Sequence, residues 1–221
     1  TCALLDNASV KCWGYNVSGQ LGQGVLDTDT RGDESGEMGD SLTAINLGSG
    51  RTAISVTTGS KHSCALLDDH SVKCWGEAEN GQVGQEKGSD DRVPPTLSIT
   101  IGTNRTATAI TAGDAHTCAI LDNSAIKCWG LNDSGQLGQG NTINLGDNAN
   151  EINPSSKIVD LGAGRTVGGI AAGDDYTCAV LDNASIKCWG GNAFGQLGLG
   201  DDSTRGDESG EMGDSLPVIG L

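Results

Sequence analysis

Residues 117–130 read Thr-Cys-Ala-Ile-Leu-Asp-Asn-Ser-Ala-Ile-Lys-Cys-Trp-Gly, and this stretch recurs with small changes three more times in the 221-residue chain. The other copies occupy residues 1–14, 63–76 and 177–190, and each copy is followed by a variant of Asn-x-x-Gly-Gln-Leu-Gly. A repeat this regular determines the architecture. Positions that all copies share should hold the fold, whereas positions that differ between copies are where a specific function could lie.

Each copy has the pattern of a β-hairpin. In the third copy, residues 122–124 (Asp-Asn-Ser) are typical of a three-residue turn with Ser124 in the left-handed region. Counting outward from this turn places Cys118 opposite Cys128 on a non-hydrogen-bonded pair of the ladder. The Cα atoms of such a pair lie about 4.5 Å apart, which is within the range that a disulfide accepts.

All eight cysteines fall into four such cross-strand pairs. We predict that they form the disulfides Cys2–Cys12, Cys64–Cys74, Cys118–Cys128 and Cys178–Cys188. Free thiols are one alternative, and a zinc site is another, because His62 and His116 each stand two residues before a cysteine. The zinc reading fits poorly, since nine residues separate the paired cysteines and Tyr176 replaces the histidine in the fourth copy. Four disulfides would indicate an oxidising compartment, so we expect an extracellular or cell-surface protein.

The spacing and composition of the repeats predict an all-β fold. Successive first cysteines are 62, 54 and 60 residues apart, and repeats of this length with strand-like content are typical of β-propeller blades. The chain has 35 glycines and lacks a long apolar period of 3.6 residues. We therefore predict a single repeat array over residues 1–221, built of propeller-type blades of antiparallel strands. Four repeats are visible, and we expect them to be part of a larger array or ring.

Further strands should flank each hairpin. We expect a first strand near residues 53–56, 107–111 and 167–171, and an outer strand such as 97–101 or 157–161. One tryptophan follows the second cysteine of every copy, which predicts a core residue that packs one blade against the next. These are Trp13, Trp75, Trp129 and Trp189.

Charge and hydropathy exclude some partners. The formal net charge is −16, and such a surface repels phosphate backbones, so we expect no nucleic-acid binding. No segment has the roughly 18 consecutive apolar residues of a membrane helix, so we expect no membrane span. The chain begins with Thr and carries no signal peptide, from which we expect a processed chain or an excerpt.

The pattern Trp-Gly-x-Asn-x-x-Gly-Gln-Leu-Gly at residues 129–138 and 189–198 resembles the repeat of the regulator of chromosome condensation family. The second copy departs from this pattern at residues 77–84. The resemblance implies a seven-bladed propeller of four-stranded blades. It does not imply one function, because the family includes nuclear exchange factors for a small GTPase, a secreted inhibitor of β-lactamases and bacterial cell-surface proteins. The acidic charge and the paired cysteines favour a bacterial-type secreted or cell-surface member.

Exposed aromatic residues are the best candidates for a binding surface. Tyr15 and Phe194 lie after the Trp-Gly pair at positions that vary between copies, and interface anchors are enriched in aromatic residues. Five asparagines stand in Asn-x-Ser/Thr triplets and are candidate glycosylation sites: Asn7, Asn16, Asn104, Asn132 and Asn183.

Two identical acidic segments, residues 30–42 and 204–216, each contain Arg-Gly-Asp. This triplet is an integrin ligand in animal matrix proteins, although a loop rich in Gly and Asp also contains it by composition. The pattern Asp-x-Asp-x-x-Gly at residues 27–32 faintly resembles a calcium loop, with Arg31 in the place of a third oxygen ligand. Apart from this calcium hypothesis, we expect no metal and no cofactor.

The sequence contains no Ser/His/Asp set with suitable spacing, no phosphate-binding glycine loop and no metal triad, so we expect no enzymatic activity. The leading hypothesis is an extracellular structural or adhesive scaffold, continued by flanking repeats of a longer chain or completed head to tail by neighbouring copies into a fibre. The alternative is a propeller module that binds a protein or a glycan, as an inhibitor or a receptor does.

The disulfide hypothesis predicts a defined change in mass. Reduction should add eight hydrogens to the intact protein, because each of the four bridges takes up two. The measurement is intact mass spectrometry before and after reduction, with alkylation in denaturant. Alkylation of eight thiols in unreduced protein would contradict both the disulfides and the extracellular assignment.

Overall fold

The computed structural model describes residues 1–24, 27–85, 92–152 and 158–220. Apart from two short 3-10 turns at Gly39–Ser41 and Gly213–Ser215, the regular structure of these residues is β. The strands are β1 (Cys2–Leu4), β2 (Val10–Cys12), β3 (Ala53–Thr58), β4 (His62–Leu67), β5 (Val72–Glu77), β6 (Arg92–Val93), β7 (Ala107–Ala112), β8 (His116–Leu121), β9 (Ile126–Gly130), β10 (Val167–Ala172), β11 (Tyr176–Leu181) and β12 (Ile186–Gly190). This confirms the predicted all-β class. The described residues include no helix with the length and hydropathy needed to cross a membrane.

The strands form four antiparallel sheets that follow one another along the chain. Their orders are β1-β2, β3-β4-β5-β6, β7-β8-β9 and β10-β11-β12, and we call them blades 1 to 4. The first strands expected near residues 53, 107 and 167 are present as β3, β7 and β10. The propeller-type architecture is therefore confirmed, with β3, β7 and β10 in contact with one another in series.

The hairpins have the predicted geometry. Ser124 lies in the left-handed region with φ of 60°, and its N–H donates to the carbonyl of Leu121 at 2.9 Å. Cys118 stands opposite Cys128 with a Cα–Cα distance of 4.0 Å, and the other three pairs have the same register. All eight cysteines are paired as predicted. Because each sulfur is bonded to another sulfur, no pair is available as a zinc ligand.

The outer edge of each blade differs from the prediction. Residues 97–101 form no strand but touch β5 through a single bridge between Ile99 and Val72, and Val159 makes one backbone hydrogen bond to Ile126. Lys157 lies outside the described residues. Residues 97–101 (Leu-Ser-Ile-Thr-Ile) are of strand-forming types, so local propensity does not account for the difference. Ile99 and Ile101 are instead buried in the core between blades 2 and 3. The fourth strand is therefore replaced in blades 3 and 4 by isolated contacts.

A buried lysine holds each of these outer segments. Lys187 donates from Nζ to the carbonyls of Leu161 at 3.0 Å and Gly213 at 2.7 Å. Lys127 donates to the carbonyl of Ile101 at 3.1 Å, and burial lowers the pKa of its amine. Lys73 and the half-buried Lys11 bind carbonyls that lie later in their own repeats, those of Thr96 at 3.0 Å and Gly39 at 2.8 Å. The lysine before the second cysteine therefore does part of what a fourth strand would do.

Each core lies between two blades and contains the tryptophan of the later one. Trp129 packs with Leu66 and Val83 of blade 2, and Trp189 packs with Ile126 and Leu137 of blade 3. Trp75, Trp129 and Trp189 are fully buried, which agrees with the prediction that the tryptophan packs one blade against the next.

The Gly-Gln-Leu-Gly element connects the blades through its glutamine carbonyl. The carbonyl oxygen of Gln82 accepts from Trp129 Nε1 at 3.1 Å and from Thr117 Oγ1 at 2.9 Å. The carbonyls of Gln20 and Gln136 accept equivalent pairs of bonds from the following blades. One carbonyl per repeat therefore fixes both a tryptophan and a hydroxyl of the next blade.

Replacing Trp129 should destabilise the fold far more than replacing an exposed aromatic residue. Trp129→Ala removes a buried indole and leaves the Gln82 carbonyl with one partner fewer, so we expect a loss of about 3–5 kcal/mol in the free energy of unfolding. Phe194→Ala, at a side chain that is 94% exposed, should change it by less than about 0.5 kcal/mol. Thermal or denaturant unfolding measures both, and equal losses would contradict this division between core and surface.

Candidate binding face

The loops that follow the first and third strands of the blades lie at the same end of the molecule. In blade 2 this is shown by the hydrogen bond from the N–H of Glu77 to the carbonyl of Lys61, at 2.9 Å. We call this end the loop face and the opposite end, with the hairpin turns, the hairpin face. The loop face consists of residues 15–20, 59–61, 77–82, 113–115, 131–136, 173–175 and 191–196.

Backbone contacts between blades fix the inner part of the loop face. The N–H of Ser60 donates to the carbonyl of Asp114 at 3.0 Å, and the N–H of Asp114 donates to the carbonyl of Asp174 at 2.9 Å. Just below, Thr57 Oγ1 accepts from the N–H of Ala112 at 3.0 Å. The same bond from Ala172 to Thr111 follows one blade later. The loops are therefore presented at a regular spacing on a rigid support.

The glutamine shared by all repeats, and an asparagine shared by blades 1, 3 and 4, hold the outer part of the loop face. Asn132 is buried, accepts the N–H of Leu137 at 2.9 Å, and donates to the carbonyls of Asn141 and Ile143 at 2.7 and 3.1 Å. Gln136 Oε1 accepts the N–H of Ser134 at 2.9 Å. Asn16 and Asn192 have equivalent bonds. The residues between these anchors are free to vary.

The asparagine side chains of the five Asn-x-Ser/Thr triplets have two kinds of environment. The amide nitrogens of Asn16 and Asn132 are buried and donate to backbone carbonyls, so the folded chain does not present them for glycosylation. Asn7, Asn104 and Asn183 are exposed at turns. The candidate sites in the folded protein are therefore these three.

Tyr15 and Phe194 both lie on the loop face and are exposed, by 58% and 94% of their surfaces. They stand on blades 1 and 4, with two blades between them, so the structure does not bring them together into one patch. Each can act as a separate anchor at one side of the face.

The two faces differ in how their carboxylates are paired. On the hairpin face, Arg51, Arg105 and Arg165 each reach an aspartate of the adjacent turn at 3.0–3.4 Å. On the described part of the loop face, the ion pair is Lys61–Glu77 at 3.0 Å, and its hydrogen bond raises the pKa of Lys61.

Four further carboxylates of the loop face are exposed and have no ion pair within the described residues: Glu79, Asp114, Asp133 and Asp174. The loop face therefore carries a larger share of uncompensated negative charge than the hairpin face.

The arginines of the two Arg-Gly-Asp triplets are already paired. Arg31 binds Asp27 at 2.7 Å, and Arg205 binds Asp201 at 2.8 Å. The carboxyl of Asp207 is partly buried, and desolvation together with the charge of Glu211 raises its pKa. An integrin-type contact needs a free arginine and a free aspartate, so the second triplet in particular is poorly presented for it.

The two aspartates of the calcium-like pattern are also paired with an arginine. Asp27 binds Arg31, and Asp29 lies 3.7 Å from the same guanidinium. A positive charge at this position opposes the binding of a cation. The described residues contain no group of three or more His, Cys, Asp or Glu side chains arranged to hold a metal ion.

Sequence reasoning missed the roles of the glutamine carbonyl and of the lysine before the second cysteine. The signal was present, because both residues are identical in all four copies. Their bonds run to another blade or to an outer loop, so the hairpin pattern alone does not reveal their partners.

Two models of the regulator of chromosome condensation (RCC1) repeat match this chain. One matches residues 53–82, 107–136 and 169–196, and the other matches residues 69–120 and 128–180. The chain belongs to the RCC1 repeat family. The matched residues include the hairpins of blades 2, 3 and 4 with Trp75, Trp129 and Trp189.

Several known RCC1-type proteins are similar to the chain. The ultraviolet-B receptor UVR8 of Arabidopsis thaliana is 34% identical over 152 residues, which are 68% of this chain and 32% of that receptor. Human WBSCR16 has a TM-score of 0.70 at 18% identity, over all of this chain and 50% of that one.

Yeast RCC1 (Prp20), solved with Kap60, has a TM-score of 0.66 at 19% identity, over all of this chain and 47% of that one. The similarity to these two structures shows the fold alone. The chain spans half or less of the length of each of these three proteins.

Proposed function

We propose that this chain is a non-catalytic, protein-binding RCC1 array that works outside the cell and receives its partner on the loop face. The proposal rests on the way in which the loop face is built. A glutamine side chain in every repeat, and a buried asparagine in blades 1, 3 and 4, hold the loops in one shape, while the positions next to these anchors vary between repeats. A fixed frame with variable, exposed positions is what a specific binding surface requires.

Several findings support this proposal. The yeast RCC1 structure was solved as a complex with another protein, Kap60, and UVR8 is a receptor. Four disulfides favour an oxidising, extracellular compartment. The unpaired carboxylates of the loop face favour a partner with a basic contact surface, since complementary charge speeds association. Phe194 and Tyr15 supply the exposed aromatic surface that interface anchors use.

A charge-matched pair of variants tests where the partner binds. Asp114→Asn/Asp133→Asn/Asp174→Asn removes three charges from the loop face, and Asp68→Asn/Asp122→Asn/Asp182→Asn removes three from the hairpin face. Binding of a lysine-rich peptide of about 15 residues is measured by calorimetry at low and physiological salt. We expect the loop-face variant to lose about tenfold more affinity, which corresponds to about 1.4 kcal/mol.

The hairpin-face variant is the control because it changes the net charge by the same amount. Equal losses in the two variants would show that the peptide responds to net charge alone and would contradict a binding face. Unchanged affinity in the loop-face variant would contradict the basic partner. A neutral oligosaccharide that binds the parent protein, while the peptide does not, would favour the glycan-binding alternative.

A head-to-tail scaffold is a second candidate, and the hydrogen bonds at the two outermost blades favour it. Within the described residues, the indole of Trp13 has no glutamine carbonyl to bind and is only half-buried, while the carbonyl of Gln196 has no tryptophan. The two groups are complementary, since a carbonyl of this kind binds a tryptophan at each of the three internal contacts. Flanking repeats of a longer chain or a neighbouring copy would complete both, and copies joined this way propagate without closing into a dimer.

Light scattering of the 221-residue chain over a range of concentrations tests this candidate. We expect particle mass to rise with concentration, and Trp13→Ala to abolish the rise because it removes the indole that the neighbouring carbonyl would bind. Phe194→Ala is the control, because it removes an exposed aromatic side chain outside this contact. A monodisperse monomer at all concentrations would contradict assembly between copies.

A further inference from the structure

Two histidines lie at the contacts between blades, away from the variable part of the loop face. His62 begins β4 and His116 begins β8, and both are buried to 1% or less exposure. His62 Nε2 lies 2.9 Å from Thr117 Oγ1 of blade 3, and His116 Nε2 lies 2.9 Å from Thr177 Oγ1 of blade 4. Each imidazole therefore extends the chain of bonds that starts at the glutamine carbonyl.

The hydrogen bonds determine which nitrogen carries the proton. Thr117 has one hydroxyl hydrogen, and it is donated to the carbonyl of Gln82 at 2.9 Å. Thr117 Oγ1 must therefore accept from His62, which places a hydrogen on Nε2 of this ring. The same reasoning applies to His116, because Thr177 donates to the carbonyl of Gln136 at 3.0 Å.

The second nitrogen of each ring is buried without a partner. Nδ1 of His62 and Nδ1 of His116 have no hydrogen bond within the described residues. The Nδ1 edge of His62 faces Gly59, where an added Cβ would lie 2.5 Å from Nδ1, and His116 faces Gly113 in the same way. In the part of the chain that the structure describes, a hydrogen on either Nδ1 would find no acceptor.

The charged groups around the two rings do not stabilise a second proton. Beside His62 they are Lys61 and Glu77, which pair with each other at 3.0 Å, Asp114 on the loop of blade 3, and His116. On the loops beside His116 they are Asp114, Asp174 and Asp175, and the carboxylate of Asp175 accepts from Gln196 at 3.4 Å. The aspartates at 114 and 174 meet these loops through backbone groups, and their side chains are exposed to water, which screens them. Burial, together with the smaller effect of His116, lowers the pKa of His62 to about 3, and burial lowers the pKa of His116 to about 4.

We propose that His62 and His116 make the contacts between blades 2, 3 and 4 acid-sensitive, so that these blades are held together at neutral pH and loosen as the medium is acidified. A proton on Nδ1 would place an unpaired charge inside a dry contact. The loosened state, in which water reaches the ring, accepts that proton freely. Because the loop face is built on these blades, acidification would release a partner bound there.

The direction of the effect follows from the two protonation equilibria. An imidazole in the unfolded chain has a pKa of about 6.5, above the values in the folded protein. Above this pH the two imidazoles are neutral in both the folded and the unfolded chain, so they do not lower the free energy of unfolding. Between about 6.5 and 4 the opened or unfolded state binds protons that the folded state does not, so stability falls as the pH falls.

One repeat of the chain has a residue other than histidine at this position. Tyr176 occupies the equivalent position in blade 4, where its ring packs on Gly173 as the histidine rings pack on Gly59 and Gly113. Tyrosine does not titrate between pH 4 and 7 when its pKa is near 10. The double variant His62→Tyr/His116→Tyr therefore introduces the residue that blade 4 has at this position, where the ring is half-buried and no described blade follows.

The experiment measures the free energy of unfolding from pH 7 to pH 4.5, with the disulfides intact, and obtains proton uptake from its slope. At pH 5 we expect the parent protein to take up about two protons more on unfolding than His62→Tyr/His116→Tyr. His70→Asn is the matched control, because it removes the third histidine at an exposed hairpin turn where asparagine tolerates the left-handed conformation. The His70→Asn variant should still take up these additional protons on unfolding.

Equal uptake by the parent and the double variant would overturn the proposal. Nitrogen NMR of the histidine rings in the parent protein gives an answer even where the double variant fails to fold. We expect both buried rings to remain in the Nε2–H form at pH 5, and titration of either ring near pH 6.5 in the folded protein would also overturn it. Neither measurement needs a binding partner, so their outcome is independent of the proposed protein-binding function.

Discussion

The whole array depends on one backbone carbonyl per repeat. At the three contacts between blades, the carbonyls of Gln20, Gln82 and Gln136 each accept an indole N–H and a hydroxyl from the next blade, at 2.9–3.1 Å. Both donors are buried, so an unmade bond would leave a polar group without water and cost about 1–3 kcal/mol. The contact therefore specifies the position of the next blade, whereas apolar packing alone would tolerate small shifts.

This arrangement separates the residues that build the protein from those that give it a function. The tryptophan, the hydroxyl and the glutamine are internal and shared by the repeats, with Ser63 in blade 2 where blades 3 and 4 have threonine. The loop face lies just outside them and differs from repeat to repeat at its exposed positions. A protein of this kind can acquire a new partner by changes at the exposed positions while the contacts between blades stay the same.

Much of the fold could be predicted because it is encoded within single hairpins. The turn at residues 122–124, the opposition of the cysteines and the burial of Trp129 all follow from short-range alternation and spacing. The roles of His62 and Lys127 could not be predicted in this way, because their partners lie in another blade or in an outer loop. Asn16 and Asn132 show a further limit: each starts a glycosylation triplet and also belongs to the Asn-x-x-Gly-Gln-Leu-Gly element, and the structure uses it for the second role.

The buried lysine of each blade has a consequence for how such arrays change over evolutionary time. Its amine binds backbone carbonyls, as with Lys187 and the carbonyls of Leu161 and Gly213, so it places no demand on the side chains that it holds. A regular fourth strand would instead fix the length and the register of the outer segment. Insertions and deletions in that segment are therefore accommodated wherever a carbonyl still reaches the amine. This accounts for repeats of 62, 54 and 60 residues that are built around the same kind of core. The outer segments are therefore the part of the molecule in which the number of residues can change most easily.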